Sequence, residues 1–382
     1  MAAPPASEPD RFNALAASVF LAARNGASDA GKNLVCSPLG VVSALAAAQA
    51  ASGEASGASS VAQLDSNLRV LLACDSLRMG NLMHVDQATT LREDYQTLFE
   101  SEFAGKVRVF DSKKDISATT DLWASQLTDG VVRSVFGFPD EDVARTDLAS
   151  AAAGEMCLVN LVEFCGCWEQ GFTRFSVQPF YVKPDQATMV PMMSQRNEFA
   201  YVRDSGYRCL RVPYECEAQL VLFVPSEMAG LDAILPSLSS WDQLKAVLDQ
   251  AIWTTGVTLT LPKVQLESRT LDLRQVLRDH ELGALLKGAG PAEPVGGDPR
   301  LGGVYHKAAL NLSEGGPDRA PLGFSALLSL SSPIPPNKPI HFVVDRPFMF
   351  LLIKKGFLVM MGLVRDLEPR KEQDKSATSC KS

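Results

Sequence analysis

The sequence predicts an α+β fold. Three observations carry that prediction: apolar residues at helical spacing early in the chain, strand-like segments through the middle, and a dense apolar run near the C-terminus. With 382 residues, 46% of them hydrophobic, the chain can bury a large core. Its formal net charge of −8 argues against nucleic acid as a partner, because such a footprint concentrates positive charge. Lys106, Arg108, Lys113 and Lys114 are basic but interrupted by acids, and read as a solvated face. No segment reaches the roughly 18 apolar residues of a membrane span. Phe348 to Ile353 is stopped by Lys354 and Lys355, and reads as a buried strand.

Taken in order, Phe12, Leu15, Ala16, Val19, Phe20 and Ala23 recur at intervals of three and four, which predicts an opening helix from Asp10 to Asn25. Asn33 to Cys36 reads as a short strand. Ser37 then reads as an N-cap with Pro38 in the first turn, leading into an alanine-rich helix over Val41 to Ala51 that ends at Gly53. Ser52 to Ser60 is loop in composition, and Val61 to Cys74 resumes a helix. Leu91 to Phe103 and Thr119 to Gln126 are further helices, with Val107 to Phe110 a strand between them.

Met156 to Phe164 is a nearly continuous apolar run, the pattern of a strand buried on both faces. Met189 to Met193, Phe199 to Val202 and Leu220 to Val224 are shorter strands, and Val257 to Leu261 alternates in strand fashion. Leu231 to Leu238 and Trp241 to Leu248 are helical pieces. Gly288 to Gly303 reads as a long loop, and the polar tail from Arg370 to Ser382 as disordered.

The eight cysteines are scattered through apolar stretches without the spacing of a disulfide scaffold, which predicts buried free thiols. Cys165-Gly166-Cys167 lacks the two-residue spacer of zinc and redox motifs, and no histidine lies near it. The four histidines form no His-x-x-x-His pair, and neither Gly-x-Ser-x-Gly nor a phosphate-cradling loop occurs. Catalytic, metal and cofactor sites are therefore not expected. Glu93, Asp94, Glu100 and Glu102 read as a solvated helix face.

Several separated segments then resemble one family together. They are Asn33-Leu34-Val35-Cys36-Ser37-Pro38-Leu39-Gly40, Leu158 to Phe164, Gly166-Cys167-Trp168-Glu169-Gln170-Gly171-Phe172, and Val190-Pro191-Met192-Met193. Val212-Pro213-Tyr214, Leu261-Pro262-Lys263, His306-Lys307-Ala308, Arg346-Pro347-Phe348 and Met361-Gly362 follow in order. The pattern resembles the serpins, a family of serine protease inhibitors, and two phrases lean toward the plasminogen-activator-inhibitor branch with its viral relatives. The resemblance implies a serpin fold of three β-sheets and eight or nine helices, with an exposed reactive-centre loop and a five-stranded sheet whose centre can open. It places a single domain over residues 1–369, the loop at about 314–340, and a serine protease or other protein as partner of a monomer. The N-terminus lacks a basic start and apolar core, so it reads as cytosolic, whereas the resembled branch is mostly secreted.

In that family Ser37, Asn160 and His306 match a polar cluster that holds the sheet closed, and Trp168 matches the tryptophan where loop insertion begins. Read alone, His306 is better explained by plain core packing, and it is the matched Ser/Asn/His set that favours the cluster. Gly40 stands where the family has a second serine, which removes a hydroxyl. The hinge falls on Glu314, Gly316, Pro317, Arg319 and Pro321, and the reactive bond on Leu330-Ser331. A trapping serpin inserts its cleaved loop as a new central strand, so the hinge has to tolerate pairing on both edges and burial. Pro317 and Pro321 delete ladder donors, and Arg319 would need a buried partner. Shifting the register by one turns Gly316, Asp318, Ala320 and Leu322 inward instead, which buries Asp318 and leaves both prolines in the strand. The expectation is a serpin with lost or weakened insertion, a binding or decoy protein; the alternative is an active inhibitor of a chymotrypsin-like or elastase-like protease.

Overall fold

The computed structural model describes residues 7–26, 31–51, 71, 76–87, 89, 91–110, 116–136, 156–286, 301–314 and 339–367. The chain opens with α1 (Glu8–Gly26), β1 (Leu34–Cys36), α2 (Pro38–Ala51), β2 (Leu77–Asp86), α3 (Glu93–Glu102), β3 (Gly105–Phe110) and α4 (Ser117–Leu127). Next come β4 (Met156–Phe164), β5 (Arg174–Lys183), β6 (Gln186–Arg203), β7 (Tyr207–Pro213) and β8 (Ala218–Pro225). Then follow α5 (Leu231–Ile234), α6 (Trp241–Gln250), β9 (Ile252–Pro262), β10 (Val264–Glu267), β11 (Leu271–Asp272) and α7 (Leu273–Val276). The last strands are β12 (Leu301–Leu312), β13 (His341–Val343), β14 (Phe348–Lys354) and β15 (Phe357–Val364).

Of the three expected sheets, two are joined by hydrogen bonds. One nine-stranded sheet runs β1-β15-β14-β8-β7-β6-β9-β13, with β5 also on β6. The join is β6, whose polar middle (Ser194 to Asn197) separates the two short apolar runs read from sequence, yet the backbone stays extended through it. It pairs with β5 over Gln186 to Ser194 and with β7 over Ala200 to Arg203, and its pairing with β9 shifts register between Asn197 and Phe199. The second sheet is the five-stranded one, ordered β10-β12-β4-β2-β3, with β11 added on β12.

The α1 stripe is buried as its spacing predicts except at half-buried Leu15, and Asn13, a polar residue inside the stripe, is buried with it. Asn13 Nδ2 donates to the Gly356 carbonyl at 2.8 Å and its Oδ1 accepts from Leu358 N–H at 2.7 Å, which pins α1 to the β14–β15 turn. Ser37 caps α2, accepting from Gly40 N–H at 3.2 Å. The helix then packs between β15 on one side and β4 and β12 on the other. Ser240 and Gln243 form a reciprocal capping box on α6.

β4 matches its expected bounds and is buried at every position. Met156, Leu158, Val162 and Phe164 join the core on the α2 side, whereas Cys157, Val159 and Leu161 join the cluster beneath α4. β2, β5 and β7 were not legible as strands. β2 carries Arg78, Asn81 and His84 inside its apolar run, and their partners come from elsewhere in the fold. One further expectation needs correction. Leu301 to Gly303 belongs to β12 rather than to the preceding loop, because it extends the ladder with β4. Lys354, the last residue of β14, is itself buried, with Nζ donating to Ser76 Oγ at 3.2 Å and to the Cys216 carbonyl at 3.4 Å. Of the expected helix at Val61 to Cys74 only Leu71 is described, and the tail from Arg370 lies outside the described residues.

Candidate functional site

The centre of the five-stranded sheet is a parallel seam between β12 and β4, two strands far apart in sequence. Its register runs from Leu301 opposite Met156 to Leu310 opposite Phe164. His306 lies opposite Asn160 across this seam, and Asn81 of β2 lies opposite Asn160 on the other side. Side chains of directly opposed residues share a face. Three neighbouring strands therefore present a row of polar side chains toward α2.

That row forms a directional relay. Ser37 N–H donates to His306 Nε2 at 3.0 Å, so Nε2 is an acceptor and the ring proton resides on Nδ1. Nδ1 in turn donates to Asn160 Oδ1 at 2.8 Å. Asn160 Nδ2 donates to Asn81 Oδ1 at 2.9 Å, and Asn81 Nδ2 to the Phe103 carbonyl at 2.7 Å and Ser43 Oγ at 3.3 Å. Ser37 Oγ donates to the Val359 carbonyl at 2.7 Å, which ties the relay to β15. Burial holds the His306 imidazole neutral by pushing its pKa down to about 3, as an accepting Nε2 requires.

Ser37, Asn160 and His306 are thus brought together. Sequence reading missed Asn81 and Ser43. An asparagine inside the apolar run Leu77 to Val85 was the available signal, since a buried amide has to find partners. Gly40 sits tight against the relay. A Cβ there would meet Asn160 Oδ1 and Val162 Cγ2, and would come within 3.1 Å of His306 Cε1. Gly40→Ala is therefore expected to lower stability by about 1–3 kcal/mol, because Val162 is stiff at χ1 and Asn160 is held by the relay. A denaturant midpoint equal to that of the parent would show that the relay can shift aside.

At the end of the seam, Trp168 stacks on Tyr214 with ring centroids 4.0 Å apart and meets Phe172 edge-on at 5.4 Å. Its Nε1–H donates to the Ser313 carbonyl at 2.6 Å. Phe172 N–H donates to the Glu314 carbonyl at 3.1 Å, and Lys263 Nζ pairs with the Glu314 carboxylate at 2.6 Å. The chain leaving β12 is held at its root by an indole, a backbone amide and an ammonium. Tyr214 and Lys263 were legible only as parts of motifs. Gly316, Pro317, Arg319, Pro321, Leu330 and Ser331 lie outside the described residues.

Among the described residues Cys36, Cys157, Cys209 and Cys216 are free thiols. Burial pushes the Cys36 and Cys157 thiols up to about 12, so neither is a ready thiolate. What the arrangement does is mechanical: it holds two parallel strands together along one buried row and anchors the segment that follows them.

Comparison with known proteins agrees with this architecture. A family model described as Serpin (serine protease inhibitor) matches residues 13–367. Ipis-1 of Ixodes persulcatus is 26% identical over 365 residues, covering 89% of this chain and 93% of the relative. Antichymotrypsin-2 of Bombyx mori is 24% identical over 304 residues, covering 75% and 76%. The crystal structure of Serpin48, described as a highly specific serpin in the insect Tenebrio molitor, superposes with a TM-score of 0.73 at 20% identity. That superposition covers 94% of this chain and 98% of the other. The leaning toward the plasminogen-activator-inhibitor branch gains no support from these relatives. A match running from the first helix to the end of the last strand shows that the chain belongs to the serpin family.

Proposed function

We propose that this serpin acts as a binding or decoy protein, offering its loop to a serine protease or another protein partner while inserting it weakly. The observation that carries this reading is the hinge composition. An inserted strand between β12 and β4 would be paired on both edges, and its two neighbours are buried on both faces. Pro317 and Pro321 would each delete a ladder donor there, and Arg319 would need a partner in the core. Insertion also competes in time with release of the protease, and about 1.4 kcal/mol of added barrier slows it tenfold. A hinge penalty of a few such increments decides the outcome even where the inserted state is downhill.

A second reading has its own support. Antichymotrypsin-2 is among the relatives, and Leu330 suits an apolar specificity pocket, so inhibition of a chymotrypsin-like or elastase-like protease at Leu330-Ser331 is the alternative. Incubation with proteases of both kinds followed by denaturing electrophoresis separates the two. Cleavage near Leu330 without a covalent adduct is the expected result. An SDS-resistant complex of protease and serpin would overturn the decoy reading and establish the alternative.

A further inference from the structure

The face of the five-stranded sheet opposite the relay carries a second polar group, and it is charged. Glu163 of β4 is fully buried and lies opposite Arg78 of β2. Arg78 Nη1 meets Glu163 Oε2 at 3.2 Å, and its Nη2 meets Asp129 Oδ2 at 2.5 Å. Asp129 belongs to the turn that ends α4, where Asp129 and Gly130 both take positive φ. Glu163 Oε1 has no hydrogen-bond partner among the described residues. One guanidinium therefore serves two carboxylates, one buried on the sheet and one in the turn that follows the helix above it.

We propose that Glu163, Arg78 and Asp129 form a proton-operated clasp for the C-terminal turn of α4. With Glu163 protonated, Arg78 serves Asp129 alone and the turn is held; with Glu163 ionised, Arg78 is shared and the turn opens more readily. An ionised Glu163 also leaves one buried oxygen unpaired, which opening of the turn would hydrate. Burial pushes the Glu163 carboxyl up to about 7, outweighing the opposing pull of Arg78, so the clasp changes state near neutral pH. The folded-state pKa is raised, so the stabilisation is present at low pH and is lost as pH rises through about 7.

On the same face, burial and the charge of Arg108 push the pKa of His84 of β2 down to about 4, so it stays neutral across this range, and two nearby cations have partners of their own. Lys307 of β12 pairs with Glu267 of β10 at 2.8 Å and donates to the Ser134 carbonyl at 2.8 Å, while Arg133 donates to the Gly130 carbonyl at 3.3 Å. The Cys165 thiol, at the end of β4, is pushed up to about 12 by burial first and by the Glu163 charge second. What the clasp holds bears on the seam. The segment after α4 crosses it, with Gln265 Nε2 donating to the Val131 carbonyl at 3.0 Å and Phe136 edge-on to Tyr305 at 5.3 Å. The clasp thus sets how often the cover over β12 and β4 lifts. This inference does not depend on the hinge.

Native-state hydrogen exchange, corrected for intrinsic chemical rates, reads the turn directly. Its reporters are the amides of Gly130, Val131 and Val132, which donate to Ser125 O, Thr128 O and Thr128 Oγ1. Opening is expected to be roughly tenfold more frequent at about pH 8 than at about pH 6, one pKa unit on either side of the midpoint. In Glu163→Gln this pH dependence should vanish, with the turn remaining slow at both values. No pH dependence in the parent, or the same dependence kept in Glu163→Gln, would overturn the proposal. Asp129→Asn is expected to speed opening at both pH values, and an unchanged rate there would show that Arg78 does not hold the turn.

Discussion

Nicking the loop near Leu330 is expected to leave the melting temperature within a few degrees of that of the intact protein. A serpin able to insert its loop stores strain in the closed sheet, and cleavage releases it by adding a strand, so the nicked form melts far above the intact one. Here the added strand would carry Pro317, Arg319 and Pro321 into a seam whose flanking strands are buried on both faces. Its gain in ladder hydrogen bonds is cut at two positions and offset by a buried guanidinium at a third. Replacing the three together by Thr, Ala and Ala should restore the rise, since every donor would be present and the side chains small. A large rise in the unmodified protein would sink the weak-insertion reading. No rise in the triple replacement would place the obstruction elsewhere, with Gly40 the first residue to examine.

His306→Ala is expected to destabilise the closed protein by about 1–3 kcal/mol for each polar group it strands. Two are stranded: Ser37 N–H loses its acceptor and Asn160 Oδ1 loses its donor, both buried in the relay. The lost ring also leaves a cavity between β12 and α2, which adds to the loss. Denaturant unfolding checks this. A lower midpoint with an unchanged slope is the expected outcome, and an unchanged midpoint would show that the relay does not depend on its histidine. The effect should exceed that of Gly40→Ala, where strain replaces lost partners.

Much of the fold was legible because its signals are local. The stripe from Phe12 to Ala23, the Ser37 cap with Pro38, and the apolar run of β4 each follow from spacing within a few residues. β5 was not legible because its pattern is largely solvated, and β2 because it mixes apolar residues with Arg78, Asn81 and His84. Such residues look like loop until their partners are known. Asn81 is satisfied by Phe103 and Ser43, and His84 Nε2 meets Thr120 Oγ1 of α4 at 2.8 Å. The candidate site divides in the same way. Motif matching found Ser37, Asn160, His306 and Trp168, because each sits in a recognisable phrase; Glu163 shares the phrase of Asn160 but carried no role there, and Asn81 and Arg78 sit in none.

By itself the sequence determined the α+β class, the order of most elements and the family resemblance. All of these depend on residue type and short-range spacing. Only the tertiary structure decided that β6 joins two of the expected sheets, that β12 pairs directly with β4, and that the polar residues of the five-stranded sheet divide between its faces. On one face they form a neutral relay beneath α2; on the other, a charged clasp beneath α4. The reason is physical: a strand's period says which residues share a face, but the partner of a buried polar group comes from a strand or helix distant in sequence. That choice is made by packing the whole core, and no local pattern encodes it.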